Sequence, residues 1–334
     1  MGRHVAGDAP ELDRIVDDAC AAIGREIESL SVPGLAGVVL GGGYGRGEGG
    51  VRELKTESGK WKTENSLSND LDFFAITEEG ASEGSDAPRI ASALEPISRR
   101  WTEKLGIDVD FTVRTPWRIR HDERRIMIQE LLRGHFDIAG RRGEELFASV
   151  GRHDAGDIPW GEAARLLMNR GMGLLLARER TENGKWKTEN GEGDADFIAR
   201  NINKCILGAG DARLVARHGY AWRAPDRADA LGDALYRKAV EWKFRPRLEP
   251  VCDWETARGV WLAAFDEVMA AGSGPASRRT PFNVARWLAR RRSLGPVATI
   301  GLAPEVRVLR GVERAVRARA GIAPSLRRDW EVFN

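Results

Sequence analysis

Apolar residues recur at spacings of three and four between residues 11 and 30, at Leu12, Ile15, Val16, Ala19, Ala22, Ile23 and Ile27. That period puts them on one stripe of an amphipathic helix, which Pro33-Gly34 brings to an end. The run Leu35–Leu40 is too short for a helix and rich in Val, so it predicts a buried strand. Residues 70–76 predict a second strand, and Ile90, Leu94, Ile97 and Trp101 form the stripe of a helix over 90–105. Residues 107–113 alternate: Ile107, Val109, Phe111 and Val113 on one face, Asp108, Asp110 and Thr112 on the other. Beyond Pro116 the period becomes helical, over 124–132, 161–180, 194–218, 227–242, 254–271 and 305–320, and strand signals nearly vanish. The pattern predicts an α+β chain. Strands and helices mix over residues 1–118, and an α-helical C-terminal domain occupies 119–334.

One decapeptide occurs twice with a single change, Thr56-Glu57-Ser58-Gly59-Lys60-Trp61-Lys62-Thr63-Glu64-Asn65 and again from Thr181 to Asn190 with Asn183 in place of Ser58. Ser-Gly or Asn-Gly between Thr and Trp is a hairpin-turn signal. Two distant copies are too few for a solenoid. The expectation is a pair of exposed β-hairpin insertions, able to pack through Trp61 and Trp186. A substrate or partner platform built on their Lys and Trp is the alternative.

Length and charge narrow the classes. At 334 residues the chain exceeds what one core usually organises. A content of 42% hydrophobic and 31% charged residues fits a folded globular protein and excludes wholesale disorder. A formal net charge of +2 names no partner. No run approaches the roughly 18–20 apolar residues of a membrane span. Charges from Asp8 to Asp18 break any secretory h-region, and Ala6 breaks the myristoylation pattern. Cys20, Cys205 and Cys252 form no CxxC pair, so a cytoplasmic location without membrane or disulfide scaffold is expected. The five histidines show no paired spacing and read as structural or surface residues. Between Arg278 and Arg328 thirteen arginines face two acids, Glu305 and Glu313, with Phe282 and Trp287 nearby. RNA is one partner such a stretch could take. The near-zero total favours a solvated helix surface whose compensating acids lie elsewhere.

Three features of the first domain belong together. A strand runs into Gly41-Gly42-Gly43-Tyr44-Gly45-Arg46-Gly47-Glu48, where Gly42 and Gly43 carry no side chains to hold a ligand off the backbone. Asp70 and Asp72 stand at i and i+2 of a strand, on one face about 6.5–7 Å apart. Asp110 comes from a later strand and faces away from its apolar neighbours. Converging carboxylates repel one another unless cations lie between them. Hard oxygen ligands suit Mg²⁺ bridging to a nucleoside triphosphate. The glycine spacing is not that of a Rossmann fingerprint, and no Gly-Lys-Ser/Thr closes a Walker A loop.

In this order the residues resemble the DNA polymerase β-like nucleotidyltransferase superfamily. Gly42 to Gly49 is similar to the Gly-Ser-x-Ala-Arg-Gly-Glu-Ala turn of its minimal and antibiotic-modifying branch, and Asn69-Asp70-Leu71-Asp72-Phe73 to its Ser-Asp-x-Asp-Leu. The resemblance covers residues 35–113. A looser one covers Arg200 to Lys204 with Gly208-Ala209-Gly210-Asp211-Ala212, which looks like a Lys…Leu-Gly-Asp-Ala segment of helical domains in such proteins. It implies that residues 1–118 are a small mixed β-sheet core with flanking helices. It also implies Mg²⁺-dependent transfer of a nucleoside monophosphate, AMP from ATP, to a hydroxyl, with release of pyrophosphate. The acceptor stays open between a small molecule, a protein and a tRNA. Asp70, Asp72 and Asp110 would be the catalytic acids and hold two Mg²⁺ ions, Asp110 also taking the acceptor's proton. Gly42, Gly43, Tyr44, Arg46, Glu48 and Lys204 would serve the nucleotide, with the helical domain closing over the cleft. Asp110 is preferred to Asp108 for its flanks, Val109 and Phe111. One departure stands out: Asp70 follows Gly43 by 27 positions, against about ten in the family. The first decapeptide fills that interval, and a surface insertion adds little closure entropy. The rival reading is a catalytically inactive protein on the same fold that binds a nucleotide or docks a partner.

Overall fold

The computed structural model describes residues 2–55, 61–182, 192–272 and 304–331. The chain divides into two compact units, residues 1–153 with 244–246 and residues 154–243 with 247–334.

The first unit runs α1 (Pro10–Leu30), β1 (Leu35–Leu40), α2 (Gly42–Gly45), β2 (Gly50–Lys55), β3 (Trp61–Ser68), β4 (Leu71–Thr77), α3 (Asp86–Leu105), β5 (Val109–Arg114), α4 (Pro116–His121), α5 (Ile126–Arg133), β6 (Phe136–Gly140) and α6 (Gly143–Leu146). Four strands form a mixed sheet in the order β5-β4-β1-β6. β4 and β5 are parallel, and β1 runs antiparallel to both β4 and β6. One sheet face carries Leu40, Leu71, Phe73 and Val109 against Leu12 and Ile23 of α1 and Ile90 and Leu94 of α3. The opposite face carries Val39, Phe74 and Ile76 against Ile119, Ile128 and Leu131 of α4 and α5. Burial on both faces explains why β4 reads as a continuous apolar run after Asp72. Each fully buried Leu, Ile or Phe adds about 1.5–3 kcal/mol.

Two sequence expectations are corrected here. β6 is a strand where the periodicity suggested only helices. It has five residues, too few for alternation to stand out, and it is drawn into the sheet by pairing with β1. With β6 included, the first compact unit runs to residue 153. Residues 227–242, expected as one helix, form two, α9 (Ala224–Leu231) and α10 (Ala234–Phe244). Gly232 breaks them at φ +62, and Asp233 Oδ1 accepts from the N–H of Leu235 and Tyr236 to start the next.

β2 and β3 pair antiparallel as a separate two-stranded ribbon, Gly50 opposite Ser68. They flank the first decapeptide, of which 61–65 lie in β3 and 56–60 outside the described residues. In the second copy Thr181 and Glu182 end α7 (Trp160–Glu182), while 183–190, and any packing through Trp186, lie outside them.

In the second unit α7, α8 (Glu192–Ala216), α11 (Trp254–Ala271) and the helix Pro304–Ala318 pack around Trp261. The Trp261 indole N–H donates to the Leu167 carbonyl at 2.9 Å. A Cβ at Gly171 would lie 2.7 Å from its ring, so the glycine lets α11 approach α7. Among the described residues no helix is long and apolar enough to cross a membrane. The three cysteines are free thiols.

Candidate functional site

The site grows from the end of β1. The chain leaves the sheet at Gly41, whose N–H donates to the Asp72 carbonyl at 2.8 Å, and turns at once into α2. Gly42 has φ +59, and a Cβ there would sit 2.0 Å from Asp72 Oδ2. The glycine is therefore required twice, by backbone conformation and by the close approach of a carboxylate. The first bond of α2 runs from the Gly45 N–H to the Gly41 carbonyl at 2.7 Å. The N–H groups of Gly42, Gly43 and Tyr44 precede it and stand outside the helical ladder.

Parallel pairing of β4 with β5 sets Asp72 directly opposite Asp110. Asp70 precedes the strand by one residue and shares the parity of Asp72, Phe74 and Ile76. These acids thus mark the α4/α5 side of the sheet, at the end where α2 begins. Asp108 lies across from Asp70, its carbonyl accepting from the Leu71 N–H at 2.8 Å. The register singles out Asp110, not Asp108, as the neighbour of Asp72. Asp110 is exposed as a residue. Partial loss of water around its carboxyl, then the charges of Asp70 and Asp108, hold it above the usual carboxylate range.

Arg46 sits between two carboxylates. Its guanidinium lies 3.1 Å from Glu130 on α5 and 3.7 Å from Glu48, whose own exposure is 1%. Arg46 thus ties the turn to α5. Gly134 closes against it, since a Cβ there would lie 2.5 Å from Arg46 Cγ. Glu130 went unnoticed in the sequence because nothing local links position 130 to position 46.

The Tyr44 side chain is spent inside the protein. At 1% exposure, its hydroxyl donates to the Ser68 carbonyl at 2.7 Å and accepts from the Ser68 N–H at 3.1 Å. With the hydroxyl so engaged, what Tyr44 offers at the turn is its backbone N–H. An N-terminal strap holds the turn from the other side. The Gly49 N–H donates to the His4 carbonyl and the Ala6 N–H to the Gly49 carbonyl, both at 2.9 Å. Asp13 anchors the strap by accepting the N–H groups of Arg3, His4 and Val5 at 2.7–3.0 Å.

The remaining candidates lie in the second unit. Lys204 is a half-buried residue of α8. The Gly208–Ala212 segment is a packing device. A Cβ at Gly208 would collide with Arg170 and one at Gly210 with Tyr236, while Asp211 accepts from the Tyr236 hydroxyl at 2.5 Å and pairs with Arg227 at 3.0 Å. In the basic C-terminal stretch Phe282, Trp287 and the arginines from 278 to 292 lie outside the described residues. Of the rest, Arg317 meets Asp266 and Glu313, Arg319 meets Glu255 and Arg327 meets Glu179.

The donor set fits a hard dication in kind: carboxylate oxygens, with Asp110 raised first by loss of water and then by the charges of Asp70 and Asp108, a repulsion that a cation would relieve. Among the described residues no three His, Cys, Asp or Glu side chains are already drawn together around a metal position.

No protein-family model matches the chain, and no curated protein matches it. A solved structure similar to it is the spectinomycin adenyltransferase AAD(9) from Enterococcus faecialis, crystallised with ATP and spectinomycin. The TM-score is 0.40 and the identity 14%, over 75% of this chain and 98% of that one.

Proposed function

We propose that the first unit is a nucleotidyltransferase core that moves a nucleoside monophosphate, AMP from ATP, onto a hydroxyl of an acceptor and releases pyrophosphate. What supports this reading is the contact between Gly42 and the Asp72 carboxylate, with Asp110 across the ladder from Asp72. It gathers a phosphate-sized backbone turn and two acids from separate strands at one end of the sheet. The N–H groups of Gly42, Gly43 and Tyr44 receive the phosphates. Arg46, braced by Glu48 and Glu130, keeps the turn in that shape. Asp70, Asp72 and Asp110 are the residues that would hold Mg²⁺. When bound, the metal supplies neutralisation of the charge on the attacking and leaving oxygens. Asp110, raised toward a base's working range, takes the proton of the acceptor hydroxyl. Positioning and electrostatics do the rest.

The test is Asp70→Asn with Asp72→Asn in the full chain. ATP affinity is measured by calorimetry, and pyrophosphate release is followed with a cell extract as the source of acceptor. The expected outcome is loss of release by at least 1000-fold in a protein that still folds. Undiminished release in the variant refutes the mechanism. ATP binding by the natural chain without turnover in any extract points to a nucleotide-binding protein instead.

A further inference from the structure

A cleft of about 500 Å³ opens around the α5–β6 connection of the first unit, within the size range of small-molecule sites. Four arginines converge on it from four segments: Arg3 from the strap, Arg133 from the end of α5, Arg142 from the β6–α6 link and Arg152 beyond α6. Asp137, which pairs with Arg142 at 3.3 Å, and Glu144 are the acids of the lining, leaving an excess of two positive charges. The excess becomes one if Asp17, which meets Arg3 from outside at 3.1 Å, is counted.

The segments that carry these arginines are fixed before any ligand arrives. Arg133 donates to the His153 carbonyl at 2.7 Å, and Arg152 to the Leu132 carbonyl at 3.2 Å, so neighbouring residues of the two segments exchange bonds. Gln129, fully buried, accepts from the His153 N–H at 2.8 Å and donates to the Gly151 carbonyl at 2.8 Å. The scaffold therefore gathers four guanidinium groups around one cleft, where Arg3 and Arg142 each have a carboxylate neighbour, Asp17 and Asp137. Among the described residues Arg152 meets a neutral acceptor and no carboxylate.

We infer that this cleft binds a phosphate monoester. Guanidinium forks match phosphate oxygens in pairs, and a monoester carries about −1.5 to −2 at pH 7, close to the excess of the lining. The Gly134 lining residue packs on Gly45 and Arg46, so an occupant would sit behind the glycine turn rather than at the carboxylates. The inference stands apart from the transferase reading and holds or fails without it.

Titration calorimetry of the full chain with inorganic phosphate and with glycerol phosphate, without Mg²⁺ and at low salt, tests it. The expected result is one saturable site, weakened at least tenfold by Arg142→Gln with Arg152→Gln and unchanged by Asp70→Asn with Asp72→Asn. Glu144→Gln, which removes an acid of the lining, should tighten binding about threefold and serves as a second probe if the arginine pair fails to fold. Absence of saturable binding, binding indifferent to these variants, or citrate bound as tightly as phosphate would each overturn the inference.

Discussion

The approach of Asp72 to Gly42 can be measured as an energy. In Gly42→Ala the new methyl meets two penalties. A φ of +59 places an L-residue in the left-handed region, at about 1–2 kcal/mol. A Cβ 2.0 Å from Asp72 Oδ2 forces that side chain off its rotamer, at about 1 kcal/mol. The single variant should therefore lose about 2–3 kcal/mol. In an Asp72→Ala background the contacts with the carboxylate are gone, only the Asp72 Cβ stays within 3.0 Å of the new methyl, and the backbone penalty of about 1–2 kcal/mol dominates. The double-mutant cycle should then return a coupling of about 1 kcal/mol, beyond the roughly 0.5 kcal/mol scatter of independent sites. Gly43→Ala is the control, since its Cβ would meet nothing nearer than the Glu48 carbonyl oxygen at 3.3 Å and its φ is not positive. It should change stability by less than about 1 kcal/mol. Urea unfolding of the full chain gives the free energies. Hydrogen exchange in peptides spanning residues 35–50 assigns the loss to the first unit. An additive cycle, or a silent Gly42→Ala, would mean that turn and carboxylate do not touch.

Three further outcomes follow from the same structure. Asp110 should titrate above an ordinary Asp by carbon-detected NMR and move back down in Asp70→Asn; an unmoved Asp110 would show that the two charges do not sense each other. Because the folded form binds this proton more tightly, Asp110 erodes stability as pH climbs from about 3.8 through its raised value, and Asp110→Asn should flatten that fall. Asp13 has the opposite sign: against a desolvation that pushes it up, the N–H groups of His4, Arg3 and Val5 hold it low. Its support of the strap is complete above the ordinary Asp value and lost as pH falls through the depressed one, so the protection of Ala6 and Gly49 relative to an unstructured chain should fall in acid, and Asp13→Asn should show that lower protection already at pH 7. In the second unit Asp211→Ala takes the carboxylate from buried Arg227, which also bonds neutral acceptors, and the acceptor from the Tyr236 hydroxyl, and should lower stability by about 3–5 kcal/mol. Tyr236→Phe should lower it by about 1–2 kcal/mol; calorimetry that finds the two equal would remove Asp211 from the centre of that network.

What the sequence made legible was what one element reveals by itself. The stripe of Leu12, Val16 and Ile23, the apolar run of β1 and the alternation through Val109, Phe111 and Val113 each report local burial, and each lies in the element expected. The fold class follows from them. Partnerships between distant positions were not legible, because no period encodes them: Glu130 against Arg46, β6 against β1, and Asp13 beneath the strap. The Gly208–Ala212 segment shows the same limit from the other side. Its glycines invite a ligand-centred reading, yet their missing side chains make room for Arg170 and Tyr236.

The long interval between Gly43 and Asp70 is where local and distant information meet. Length alone counts against the turn and the acids acting together, since 27 positions separate them. The ribbon of β2 and β3 removes most of that length by pairing Gly50 with Ser68, and the buried Tyr44 hydroxyl locks the junction by bonding both partners of the Ser68 backbone. Asn69, at φ +74, then turns the chain into β4. An insertion closed at its base in this way adds loop entropy only within itself, so the step from turn to carboxylate is as short in space as it would be without the ribbon. Tyr44→Phe keeps the ring but deletes both Ser68 bonds. It should therefore loosen the ribbon base and the position of Asp70 together, which hydrogen exchange at Ser68 and Leu71 would register as a joint loss of protection. Protection lost at Ser68 alone would mean that β4 holds the acids without help from the ribbon.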